Sequence, residues 1–140
     1  MRNTAFLLLL ILLFACNSQP KKTETIAVPA EKTSIAFKEK MHNFGSLTAG
    51  EIVVYTFEFT NTGEHNFVIE SVESDCGCIH VNYKKQAVKP GDKGLIEIEF
   101  NTAGMVGKEF KSIEVLGNSK ELKHLAIFAE VDNELIDLKY

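Results

Sequence analysis

The chain has 140 residues, 45% of them hydrophobic and 24% charged, with ten Phe, three Pro and no Trp. That composition excludes a disordered or collagen-like chain and suits one globular domain with a single core. The formal net charge is −4 and Arg2 is the only arginine, so nucleic acid and polyphosphate, which are read by guanidinium forks in a positive field, are not expected partners.

The first element is an address. Arg2 supplies a positive start and Ala5 to Ala15 is an unbroken apolar run of eleven (AFLLLLILLFA), too short for the roughly 20 residues that a membrane-spanning helix needs. It reads as a secretory leader. The run closes on Leu13-Phe14-Ala15-Cys16, which resembles the lipobox of bacterial lipoproteins: an aliphatic residue, a tolerant position, a small residue before the cut, then the acceptor thiol. Residues 1–15 are therefore expected to be removed and Cys16 acylated, which leaves a side-chain charge of −5 on the mature chain once Arg2 is gone. Two or three acyl chains make such an anchor stable. Residues 16–33 are polar and contain Pro20 and Pro29; they read as a tether with an r.m.s. span of roughly 20–25 Å. Asn17 follows the cysteine where Asp would favour inner-membrane retention, and no acidic export cluster follows. The expected location is the cell envelope, at the outer membrane facing the periplasm.

From residue 34 to 131 the period is two. Val53, Tyr55, Phe57 and Phe59 alternate with Val54, Thr56, Glu58 and Thr60; Ile96, Ile98 and Phe100 alternate with Glu97 and Glu99; and Leu125, Ile127, Ala129 and Val131 form a third such face. Shorter strands are predicted around residues 35–38, 67–72, 78–81 and 110–115. Turn chemistry separates them at Thr62-Gly63-Glu64, Lys89-Pro90-Gly91-Asp92 and Gly117-Asn118-Ser119. About seven short strands, each with one apolar face, predict an all-β fold: a two-sheet antiparallel β-sandwich, with a small closed barrel as the alternative. Residues 132–140 are polar with scattered apolar positions, and no structure is assigned to them.

The motifs Phe44-Gly45, Tyr55-Thr56-Phe57, Asn61-Thr62-Gly63, Cys76-Gly77-Cys78 and Lys89-Pro90-Gly91, in that order, resemble the bacterial "domain of unknown function 1573" family over about residues 36–131. The resemblance implies an immunoglobulin-like sandwich, often lipid-anchored in Gram-negative envelopes, with no established activity. Two positions depart from the family pattern: Asn43 stands where Asp is frequent, and Ile79-His80 follows the cysteines where Thr is usual.

Setting Cys16 aside, Cys76 and Cys78 form an even pair in an oxidising compartment. With His80 they read Cys-x-Cys-x-His, and in an extended strand all three would share a face. Three readings stand side by side. A straight strand puts alternate Cα atoms about 6.6–6.8 Å apart, the edge of disulfide tolerance, but Gly77 allows a bulge or turn that would close a strained, easily reduced bridge. Two thiolates and an imidazole would also suit Cu or Zn. The third reading is plain packing of small buried cysteines. His42 and His65 are expected to be solvated, His124 to lie on an outer face, and Met41 and Met105 to pack in core or loop.

There is no Gly-x-Ser-x-Gly elbow, His-Glu-x-x-His or phosphate-binding loop in the sequence. Glu97 and Glu99 share a strand face, but their alternation with Ile96, Ile98 and Phe100 marks that face as solvated. The expectation is a non-enzymatic, lipid-anchored binding or scaffolding module with no resident cofactor, attached to the membrane through Cys16 and engaging a protein partner of the envelope. The alternative is a soft-metal or thiol-redox lipoprotein using Cys76, Cys78 and His80.

Overall fold

The computed structural model describes residues 31–132. The leader, Cys16, most of the tether and the extension beyond Asp132 lie outside the described residues. Eight strands form two four-stranded sheets: β1 (Ile35–Phe37), β2 (Met41–Thr48), β3 (Ile52–Asn61), β4 (Ile69–Ser74), β5 (Ile79–Tyr83), β6 (Lys93–Asn101), β7 (Gly107–Gly117) and β8 (Lys123–Asp132). The spatial orders are β1-β3-β6-β5 and β2-β8-β7-β4.

The three alternating faces meet in the middle. Phe57, Phe59, Ile96, Ile98 and Phe100 from one sheet pack with Ile113, Val115, Leu125, Ile127 and Val131 from the other, all with almost no exposed surface. Each such side chain contributes about 1.5–3 kcal/mol through burial, and the strand pairing into two separate sheets settles a sandwich over the closed barrel. Gly94 lies within this packing: any Cβ there would collide with the Phe59 ring.

The structure corrects two expectations. The described residues form eight strands, and one strand pairing is parallel: β2 runs alongside β8, from Met41↔Ala126 to Thr48↔Asp132. The sequence conceals β2 because a bulge between Asn43 and Ser46 shifts its register. His42 turns inward before the bulge, Phe44 within it and Leu47 after it, so the alternation is shifted partway along the strand. Gly45 takes up the bend with φ +73°, and its N–H donates to Asn43 Oδ1 at 2.8 Å. The chain changes sheets in the short link between β1 and β2. Lys38 N–H still donates to Glu58 O of one sheet, while Lys40 O already accepts Ala126 N–H of the other. Three residues carry the chain from sheet to sheet.

Candidate functional site: the cysteine turn and the β6 groove

Cys76 and Cys78 do not sit on a strand. β4 ends at Ser74 and β5 begins at Ile79, and between them the chain turns from one sheet to the other. Within that turn the two cysteines are joined as a disulfide with their Cα atoms 5.2 Å apart. Four hydrogen bonds hold the turn: Asp75 N–H donates to Ser112 O (3.2 Å), Ser112 N–H to Asp75 Oδ2 (3.0 Å), Cys76 N–H to Ser74 Oγ (3.3 Å) and Asn101 N–H to Cys78 O (3.0 Å). The Ser74 hydroxyl also faces Cys76 Sγ at 4.0 Å. Both cysteines are half-buried against the core, whereas Gly77 is exposed.

His80 does not join them. It lies between buried Ile79 and half-buried Val81, opposite Glu99 in the ladder, and is exposed; it belongs to the outer face of its sheet. Because the cysteines turn before the strand begins, the shared face expected of an extended Cys-x-Cys-x-His is lost. Among the described residues no group of three or more His, Cys, Asp or Glu is placed to hold a metal ion. Glu97 and Glu99 are exposed on that same outer face.

The other histidines and methionines divide differently from expectation. His42 is half-buried rather than fully solvated: its ring stacks on Tyr55 at 3.6 Å and meets the edge of Phe44 at 4.7 Å. The bulge in β2 gives it this inward aspect, and no sequence period announced it. His65 is exposed, with Nδ1 2.8 Å from Glu31 Oε2. His124 lies on the outer face of its sheet, opposite Glu114. Met41 is exposed rather than packed, at 60%, because the β2 edge turns it outward. Met105 packs against the core.

A second feature was missed by sequence reading. β5 leaves β6 at the pair Tyr83↔Ile96, whereas β3 stays paired with β6 down to Lys93. Among the described residues, β6 therefore has a strand on one side only over Lys93–Leu95. Asn101 directs its N–H toward β5 and Asp92 directs its carbonyl toward β3; by the alternation of an antiparallel ladder, Lys93 and Leu95 present their backbone groups to the vacant side. A groove of about 520 Å³ opens there, lined among others by Tyr83, Val88 and Leu95, with Lys84, Asp92 and Glu97 at its polar margin. Such a volume suits a few residues of bound chain or a small ligand. Only the uneven lengths of β5 and β6, which no local pattern reveals, create it.

The family model "Protein of unknown function (DUF1573)" matches residues 35–131. The chain belongs to the DUF1573 family. No curated protein sequence matches it significantly. Among solved structures, this DUF1573 chain is similar to a protein of unknown function from Porphyromonas gingivalis at 18% identity and a TM-score of 0.64, over 77% of this chain and 51% of that one. It is similar to the ASH/PapD-like domain 7 of human CEP192 at 10% identity and a TM-score of 0.56, over 82% of this chain and 96% of that one. The secreted serine protease VesC from Vibrio cholerae is similar at 11% identity and a TM-score of 0.55, over 71% of this chain and 23% of that one. The chain thus spans about half of the Porphyromonas protein and under a quarter of VesC. At these identities the likeness shows the fold: an immunoglobulin-like, PapD-like β-sandwich.

Proposed function

We propose that this chain is a lipid-anchored module of the cell envelope, held through acylated Cys16 at the periplasmic side of the outer membrane, that binds a protein partner without catalysing a reaction. The observation that carries the binding role is the one-sided run of β6 over Lys93–Leu95 above the groove. An extended segment laid there would pair with the free backbone groups and set a side chain against Tyr83, Val88 and Leu95, the physics of strand addition. The anchor rests on the Leu13-Phe14-Ala15-Cys16 sequence, and Cys16-dependent incorporation of a labelled fatty acid tests it separately.

The binding role is tested by placing a photocrosslinking amino acid at Gln86, in the groove lining, and as a control at Glu130 on the outer face of the other sheet. A discrete adduct from Gln86 and none from Glu130 is expected in living cells. Equal labelling from both positions, or none from Gln86 under several growth conditions, overturns the assignment.

A further inference from the structure

The Cys76–Cys78 bridge does little for the architecture. It encloses a single residue, so it removes little chain entropy from the unfolded state, in contrast to bridges that close long loops. Four hydrogen bonds already hold the turn, none of them through a sulfur. The two cysteines are half-buried, and the exposed Gly77 between them leaves one side of the turn facing solvent. Bridges that are partly accessible and structurally dispensable are those that exchange.

The two sulfurs also differ. Among the described residues only Cys76 Sγ has a hydroxyl beside it, Ser74 Oγ at 4.0 Å, and a donor at that position favours the thiolate form. Cys76 is then the better leaving group and Cys78 the sulfur that is attacked.

We infer that Cys76–Cys78 is a thiol–disulfide exchange couple whose substrate class is a dithiol. A substrate thiolate attacks Cys78 Sγ, the Cys76–Cys78 bond breaks, and its electron pair leaves on Cys76 Sγ facing the Ser74 hydroxyl. The substrate's second thiol, deprotonated, attacks its own sulfur in the mixed disulfide and expels Cys78 as thiolate. The substrate dithiol has lost two electrons and two protons and become a disulfide; Cys76 and Cys78 have gained both and become thiols. This chemistry takes only its oxidising setting from the envelope reading and is independent of the groove.

The test uses the full chain carrying Cys16→Ser, so that Cys76 and Cys78 are its only cysteines, in mixtures of reduced and oxidised glutathione. Alkylation trapping and intact mass are expected to show oxidised and reduced forms coexisting across those mixtures, and peptide mapping to place the glutathione adduct on Cys78. Exchange is expected to run faster than in a free peptide spanning residues 74–79. Ser74→Ala is expected to slow it about three- to tenfold, the value of one modest hydrogen bond to the departing sulfur, and to raise the pH at which reduced Cys76 alkylates, a shift that a merely structural role would not produce. A bridge that stays oxidised in every mixture, an adduct on Cys76, or exchange no faster than the peptide's would overturn the proposal.

Discussion

The Thr33 hydroxyl donates to the side-chain carbonyl of Asn61 at 3.0 Å, and both residues are buried. Asn61 closes β3, while Thr33 is where the polar N-terminal stretch reaches the domain, so this bond fixes the start of the sandwich to the end of its third strand. The rest of the Asn61 amide is used as well: Nδ2 donates to His65 O and Val88 O, each at 2.8 Å, and Oδ1 also accepts Gly63 N–H at 3.1 Å. Thr33 was assigned to the tether from sequence; its burial brings it into the folded unit. Val88, one of the groove-lining residues, is positioned by the same amide.

Asn61→Ala leaves several buried polar groups without partners and is expected to cost about 2–4 kcal/mol. The matched control is Asn101→Ala, at the other Asn-Thr strand end, where the side chain is exposed and accepts only Ala103 N–H; its expected cost is below about 1 kcal/mol. Urea midpoints measured at constant m distinguish the two.

Phe100 and Phe110 separate core from surface. Phe100 has no exposed area and Phe110 is 58% exposed. Phe100→Ala is expected to cost about 3–5 kcal/mol and Phe110→Ala to stay within about 0.5 kcal/mol, both read from thermal or urea unfolding.

Replacing both Cys76 and Cys78 by Ser is expected to cost no more than about 1.5 kcal/mol, the chain-entropy value for a three-residue loop. Urea unfolding of the double variant against the oxidised parent checks this. A loss of 3 kcal/mol or more, on the scale of roughly fifteen-residue loops, would make the bridge architectural.

Lys93 donates to Glu58 Oε1 at 2.8 Å across the β3–β6 pair. That hydrogen bond, followed by the charge of Lys93, holds the Glu58 carboxyl below its ordinary value. A carboxyl lowered in the folded state adds stability that is complete above the unfolded value of about 4.3 and fades as pH falls through the folded one. Lys93→Gln is therefore expected to raise the Glu58 titration midpoint, followed by carboxyl-carbon NMR, and to remove this contribution to acid sensitivity while leaving stability at neutral pH nearly unchanged, since the pair is solvent-screened.

The core was legible because it is written locally. Ile96, Ile98 and Phe100 announce their inward face through the alternation of a pleated strand, and the structure buries all three. β2 was not legible, because its bulge breaks the period that a reader relies on, and His42 was misjudged with it. The Asn61-Thr62 and Asn101-Thr102 strand ends look equivalent in sequence, yet the buried residues are Asn61 in one and Thr102 in the other, whose hydroxyl lies within hydrogen-bonding distance of Thr48 O and Glu51 O.

By itself the sequence determined the all-β class, the family and most members of the core, since each depends on side-chain periodicity or short motifs within one stretch of chain. Only the tertiary structure decided the parallel β2–β8 edge, the turn that joins Cys76 to Cys78 while sending His80 to the opposite face, and the vacancy beside Lys93–Leu95. Those features depend on where one strand stops relative to another and on which way a bulge turns the backbone. Such relations between distant segments arise from packing and ladder register, and local composition does not encode them.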